Sequence, residues 1–336
     1  MTQAYFDWIA RIDQSEASMR HMSKTLQLLQ HRLSDSRLAV ADTTIAVVVC
    51  LVVMSALIGN YDVVTKHMVG LHKMVLLRGG ERVLKENSQI QMKVCRYDFS
   101  AFVFQQLLTS FSSADLMIAL LNDTHPLFFF ESLSWSPLLP NDPDDTRIFV
   151  SPYEILRGDK YRENIWCDLS SFCHAANLAF QTDRKMNPNL FQEVLISVMY
   201  RLLFLPLPDS DNKCDQTSYI KALHLTMMAF SVTVLLQAQG TETRFDKLSS
   251  HLRETILSLD IDVQSRRELH IWILVVADLS TVIREDQNWI LPLLQQLLLS
   301  AGVSTWIEMR ALLKNFLWID TIHDKGGKWL FDQIIA

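Results

Sequence analysis

Four polar side chains in this sequence lie among apolar neighbours and could polarise a molecule bound beside them. They are Arg96, His174, Tyr200 and His224. A guanidinium, an imidazole or a phenol can donate a hydrogen bond to an oxygen on which negative charge develops. We predict these four as the catalytic residues if the chain is an enzyme. A histidine in the run KALHLTMMAF is also typical of a helix core, where its hydrogen bonds are satisfied.

Three further residues are predicted to contact a bound ligand. They are Asp98, Met227 and Asp278, two carboxylates in apolar surroundings and one methionine of a Met-Met pair. The 13 methionines and 17 phenylalanines of the chain suit an adaptable apolar cavity. Ordinary core packing, with the carboxylates paired to neighbouring helices, is the alternative explanation for the same three residues.

The sequence predicts neither a metal site nor a cofactor. No C-x2-C pair occurs among the five cysteines, which are Cys50, Cys95, Cys167, Cys173 and Cys214. We interpret them as reduced thiols that pack as small apolar side chains. Neither Gly-Gly pair has the spacing of a phosphate-binding loop, and the signatures of nucleophile elbows, zinc proteases and kinases do not occur.

The charge pattern argues against nucleic acid as a direct partner. The net charge is −6, and no run of Lys or Arg is longer than two residues. The most apolar stretch, residues 45–59, spans 15 residues, whereas a membrane helix needs about 20. We predict a helix buried on all sides, not a membrane span. With no signal peptide, the chain is expected to be intracellular, either cytoplasmic or nuclear.

The elements that would position these residues are helices. Apolar residues recur with helical spacing along most of the 336 residues, and Gly and Pro number only nine each. The fold class is therefore all-α, a large multi-helix domain of antiparallel packed helices without a significant β-sheet. The predicted helices lie near residues 26–33, 42–59, 61–77, 98–121, 153–157, 165–181, 188–205, 218–237, 241–257, 265–284, 288–299 and 305–318.

A loop divides the predicted helices into two halves. Residues 135–152 contain four prolines and the acidic run NDPDD, a composition typical of a solvated connection. We predict an N-terminal helical half at 1–134 and a C-terminal helical half at 153–336, together forming one cooperative domain.

Several segments together resemble the fungal-specific transcription factor domain family. They span roughly residues 15–325 and read DTTIAVVVCLVVMSALIGN, HMVGLHKMVLLRGG, ANLAFQTDRKMNPNLFQEVLISVMYRLLFL, RRELHIWILVVADLS and STWIEMRALLKNFLWID. The resemblance implies a helical regulatory region of zinc-cluster transcription factors, which binds effectors or partner proteins, often in the control of secondary metabolism. Six cysteines hold two zinc ions in the DNA-binding module of such proteins, and none of the five cysteines here matches that pattern. We expect Met1 to be the natural start, in which case the chain does not read DNA by that module.

Three functions remain open at this point. The first is a transcription-factor-like domain that binds a hydrophobic small molecule. The second is an enzyme on the same scaffold, a metal-free and cofactor-free cyclase or isomerase (pericyclase-like) of polyketide or terpenoid biosynthesis, which would act mainly by holding reacting atoms together. The third is a protein-interaction module that forms a homodimer, for which the C-terminal KWLFDQIIA offers apolar residues.

Overall fold

The computed structural model of this chain is helical in every regular element it describes. The described residues are 16–57, 59–79, 114–128, 150–184, 188–208, 215–236, 245–260, 263–280 and 289–335. Contacts divide the chain into two compact units, one of Met1–Ala119 with His125–Phe130, the other of Leu120–Thr124 with Glu131–Ala336. The all-α prediction is confirmed.

The first unit is built around a helical hairpin. Its helices are α1 (Glu16–Leu33), α2 (Ser36–Ala39), α3 (Asp42–Leu57) and α4 (Tyr61–Leu77). Asn60 caps α4 by accepting a hydrogen bond from the Val63 amide at 3.3 Å. The buried residues of α4 recur with helical spacing along one face and are Val64, Met68, Leu71, Met74 and Val75.

Helix α3 is apolar around its whole circumference but is not buried on all sides within this unit. Ile45, Val48 and Val52 lie in the core that α3 shares with α4. Val47 and Val49 are half-buried at the edge of that core. The prediction of burial on all sides is therefore wrong within this unit, since these two positions keep part of their surface exposed.

The second unit contains the remaining helices and a large aromatic core. The helices are α5 (Val150–Leu156), α6 (Lys160–Gln181), α7 (Pro188–Phe204), α8 (Asp215–Leu235), α9 (Asp246–Ser258), α10 (Arg267–Ser280), α11 (Ile290–Ala301), α12 (Trp306–Leu313) and α13 (Asp320–Ile335). Trp272 on α10 lies at its centre, with Trp166 edge-on at 5.6 Å and Phe316 stacked at 5.4 Å between ring centroids. Its indole nitrogen donates to the Leu317 carbonyl at 3.0 Å. The one polar group of this buried side chain therefore has a hydrogen-bond partner.

The C-terminal end differs from the predicted single helix at 305–318. A capping box of Thr305 and Glu308 begins α12 at the predicted start, but α12 ends at Leu313. A further helix, α13, follows from Asp320 and contains Gly326 and Gly327. A glycine pair disfavours a helix, yet both glycines lie inside α13, and at Gly327 a Cβ would lie within 3.0 Å of the rings of Trp318 and Trp306.

Several predictions fall on residues outside the described ranges. Arg96 and Asp98 are among them, as are most of the helix predicted at 98–121 and residues 135–149 of the predicted loop. Residues 150–152, predicted to end that loop, instead form the start of α5.

One helix in the described part of the chain is long and apolar enough to cross a membrane by length and composition alone. It is Gln216–Leu235 in α8, and 83% of its apolar window is buried inside the protein. A second candidate would require α11 and α12 to form one broken span bent by 95°. Core helices of globular proteins meet the same criteria, and the burial of α8 is of that kind.

Candidate functional site

The structure places the predicted site residues at different depths. His224 and Met227 lie on α8, both without exposed surface. Tyr200 on α7 and Asp278 on α10 are buried, each at 7% exposure, whereas His174 lies at the exposed surface of α6. His224 and Met227 are three residues apart and so share one side of α8. Arg162 is the residue that hydrogen-bonds His224 in the described structure, so His224 does not form a polar cluster with the other predicted residues.

The site begins at the turn that starts α6. Gly158 adopts a left-handed backbone with φ of 96°, which a residue with a Cβ rarely adopts. Asp159 then caps α6 by accepting from the Arg162 amide at 3.1 Å. This cap brings the Asp159 carboxylate and the Arg162 side chain together at the first turn of the helix.

The Arg162 guanidinium joins three segments of the second unit. Its Nη1 donates to Asp159 Oδ2 and its Nη2 to the Pro206 carbonyl, both at 2.5 Å. Its Nε donates to Nδ1 of His224 at 3.0 Å. Asp159 lies at the start of α6, Pro206 follows α7, and His224 lies in the middle of α8. Every guanidinium nitrogen of this buried arginine therefore has an acceptor.

The bond from Arg162 fixes the protonation state of His224. A guanidinium donates and does not accept, so Nδ1 of His224 must be the unprotonated nitrogen and Nε2 carries the proton. Burial lowers the pKa of His224 to about 3, and the positive charge of Arg162 adds to that lowering. His224 is thus a neutral imidazole at physiological pH, with one N–H group to donate.

That N–H group has no acceptor among the described residues. Nε2 of His224 is buried and makes no hydrogen bond. The Leu202 carbonyl is near enough to counteract part of the lowering of the pKa of His224, but it does not meet hydrogen-bonding geometry with Nε2. Leaving a buried donor unpaired costs about 1–3 kcal/mol, so a missing acceptor is indicated at this nitrogen.

His323 shows what a satisfied core histidine looks like in the same unit. Its Nδ1 accepts from the Ile319 amide at 3.0 Å. Its Nε2 lies 2.8 Å from the hydroxyl of Thr233, which itself donates to the Phe230 carbonyl. Both ring nitrogens of His323 are therefore used, and burial lowers its pKa to about 4. His224 differs from it by one unmet donor.

A second pair of charges is buried between α6 and α7. Nη2 of Arg201 donates to Oδ2 of Asp168 at 2.6 Å, and neither side chain has exposed surface. Nε of Arg201 donates to the Ser197 carbonyl at 3.3 Å. The third nitrogen, Nη1, is buried and has no hydrogen-bond partner in the described structure.

Sequence reasoning did not select Arg162, Asp168 or Arg201, because charged side chains on a helix usually face water. The spacing of Asp168 from the apolar residues of α6 was a usable signal. Asp168 lies three residues after Ile165 and four before Phe172, both fully buried, so it belongs to the core face of α6. The partners of these charges are distant in sequence, 62 positions in the case of Arg162 and His224, and spacing along one helix does not reveal them.

The chemistry of this site is hydrogen-bond donation. Within the ranges that the structure describes, no group of three or more His, Cys, Asp or Glu side chains could hold a metal ion. Nε2 of His224 and Nη1 of Arg201 are two of the buried side-chain atoms without a hydrogen bond in the described residues, and both are donors for oxygen or nitrogen acceptors.

Comparison with protein families identifies the family of the chain. The model of the fungal specific transcription factor domain matches residues 5–316. No curated protein and no solved structure matches the chain. The family match covers both units and every described helix except the last.

Proposed function

Because the chain belongs to the fungal specific transcription factor domain family, we propose that it is a regulatory domain that binds a hydrophobic small molecule beside His224. The family places the chain among transcription-factor-like proteins, which is compatible with a nuclear or a cytoplasmic location. The ligand is a molecule of secondary metabolism with a carbonyl or hydroxyl oxygen. Its apolar part would lie among side chains such as Met227, one turn further along α8.

The observation that carries this proposal is the unmet Nε2–H of His224. Arg162 holds the imidazole in one tautomer and one orientation, so the donor is positioned before any ligand arrives. A preorganised neutral donor in apolar surroundings is the usual polar contact of a site for an apolar ligand. Residues 222–235 of α8, a run that contains His224, are all buried.

The charge of the protein supports a small molecule as the partner in preference to nucleic acid. Its net charge is −6, whereas DNA-binding surfaces are basic. Both buried arginines are neutralised by aspartates, Arg162 by Asp159 and Arg201 by Asp168. This part of the protein therefore presents donors without an excess of positive charge.

A cyclase or isomerase is the second candidate, and the same donor favours it. Hydrogen bonding from Nε2 of His224 to a carbonyl would polarise that carbonyl and promote rearrangement of a polyene. Proton abstraction is excluded as a role for His224 near neutral pH, because an imidazole with a pKa of about 3 is too weak a base. An enzyme of this kind would return an isomer of the molecule it binds.

The test uses two variants that separate the nitrogens of His224. In His224→Asn the amide oxygen takes the place of Nδ1 and still accepts from Arg162, but the donor at Nε2 is lost. In His224→Gln the amide nitrogen takes the place of Nε2 and still donates, but the acceptor for Arg162 is lost. Each protein is incubated with extracts of cells that make polyketides and terpenoids, and native mass spectrometry identifies the molecules retained.

We expect the wild-type protein to retain a molecule that His224→Asn binds about three- to tenfold more weakly, the value of one neutral hydrogen bond of about 0.5–1.5 kcal/mol. His224→Gln should be less stable but should retain the molecule in its folded fraction. Recovery of the molecule unchanged identifies a binding domain, and recovery as an isomer identifies the enzyme. Equal retention by all three proteins, or retention by none, contradicts the proposal.

A further inference from the structure

The buried pair of Arg201 and Asp168 leaves one side of the guanidinium unused. Arg201 has no exposed surface, and two of its three nitrogens are engaged by Asp168 and by the Ser197 carbonyl. Nη1 carries two N–H groups and has no acceptor in the described part of the protein. Buried donors on a charged group are among the most costly to leave unpaired, so this nitrogen indicates an acceptor that the chain itself does not supply.

The charge of the pair determines what kind of acceptor fits. The carboxylate of Asp168 neutralises Arg201, and both side chains are fully buried. A second anion at Nη1 would place two negative charges against one positive charge in an interior that solvates charge poorly. A neutral oxygen, as in a ketone, an ester, a lactone or a hydroxyl, accepts from Nη1 without that penalty.

The position of Arg201 relates this donor to the site of His224. The backbone of Leu202, the next residue of α7, lies close enough to the His224 ring to raise the pKa of His224 against the effect of burial. Arg201 therefore belongs to the turn of α7 that passes beside His224. Each donor is held by a separate polar contact, Arg201 by Asp168 and His224 by Arg162.

We propose that Arg201 is a specificity-determining residue whose Nη1 binds a neutral oxygen of the ligand, and that Asp168 excludes carboxylates from this position. The inference rests on the proposed function, since it takes the ligand to be the molecule held beside His224. It adds the chemical class of that molecule: an apolar compound with uncharged oxygen acceptors and no carboxylate.

The experiment compares two fluorescent probes of one skeleton, methyl 2-naphthoate and 2-naphthoate, by titration against the full chain. Asp168→Asn is the central variant, because its amide oxygen still accepts from Arg201 while the neutralising charge is removed. Asp332→Asn is the matched control, since it removes one carboxylate from an exposed position of α13. The double variant Asp168→Leu with Arg201→Met removes both charges, and replacing a buried ion pair by apolar residues is often tolerated by a fold.

We expect Asp168→Asn to bind the carboxylate at least tenfold more tightly than the wild-type protein does, with the affinity for the ester changed less than threefold. Asp332→Asn should leave both affinities unchanged. The double variant should bind the ester about tenfold more weakly and gain no affinity for the carboxylate. A crystal structure of the wild-type complex should show the ester oxygen at Nη1.

Two patterns would overturn the inference, and they are distinguishable. If the ester binds and His224→Asn weakens it while Asp168→Asn leaves the carboxylate affinity unchanged, the role of Arg201 is refuted and the proposed function stands. The same conclusion follows if the crystal structure shows only a water molecule at Nη1. If neither probe binds the wild-type protein, the inference fails, whereas the proposed function is decided separately by the retention of a molecule from the cell extracts.

Discussion

Replacing Gly327 by alanine should destabilise the second unit, although alanine is the better helix former. A Cβ at residue 327 would lie 2.9 Å from Cη2 of Trp318 and 3.0 Å from Cη2 of Trp306. Trp318 is 1% exposed and its indole nitrogen donates to Asp324 at 2.9 Å, so that ring cannot move aside freely. Overpacking of this kind costs about 1–3 kcal/mol.

The net effect follows from setting this cost against the gain in helix propensity. Replacing Gly by Ala inside a helix stabilises it by about 1 kcal/mol. The clash with two indole rings is at the upper part of the overpacking range, so Gly327→Ala should lower the free energy of unfolding by about 1–2 kcal/mol. The assay is urea denaturation followed by tryptophan fluorescence.

The neighbouring Gly326 supplies the control. A Cβ there would lie 2.6 Å from Cδ2 of Leu279, with the next nearest atom, Cγ of the same side chain, at 3.9 Å. Moving one leucine rotamer costs about 0.5–1.5 kcal/mol, which the gain of about 1 kcal/mol from helix propensity offsets. Gly326→Ala should therefore leave stability nearly unchanged. A Gly327→Ala protein as stable as the Gly326→Ala protein would refute the packing argument.

The unfolding free energy should fall as the pH drops from about 6.5 towards 4, because the buried neutral histidines have lowered pKa values, about 3 for His224 and about 4 for His323. In this window each unfolded histidine binds a proton that its folded form does not, so each adds a slope of about 1.4 kcal/mol per pH unit. His224→Asn should reduce the slope by that amount in urea titrations at each pH, and an unchanged slope would contradict a neutral His224 in the folded protein. Asn177→Ala should lower stability by about 1–3 kcal/mol in the same assay, because Asn177 donates to the Trp318 carbonyl and accepts from the Asp320 amide. Stability equal to the wild type would show that water replaces both contacts.

Most of the helices could be predicted from the sequence, because the helical spacing of apolar residues depends only on the local order of residues. Pro188 at the first position of α7 and the capping box of Thr305 marked helix starts correctly, since both signals act within one turn. Helix α13 was not predicted: a glycine pair is unfavourable inside a helix, and the two tryptophans that lie against Gly327 are brought there by the fold.

The candidate site was predicted less completely than the helices. His224 was identified from its apolar neighbours, but the tautomer that makes it a donor depends on Arg162, which lies on another helix. Asp168 and Arg201 are 33 positions apart, and they form a buried pair only because α6 packs against α7. Pairing between helices depends on tertiary contacts, which the periodicity of a single sequence does not contain.

The central claim is that Nε2–H of His224 donates a hydrogen bond to the carbonyl of a bound apolar molecule. The most direct measurement is the infrared difference spectrum of methyl 2-naphthoate, labelled with ¹³C at the carbonyl, bound to the wild-type protein and to His224→Asn. A hydrogen bond to the carbonyl lowers its stretching frequency. We predict a lower frequency on the wild-type protein than on His224→Asn, and the wild-type value again on His224→Gln. The same frequency on all three proteins would contradict the claim.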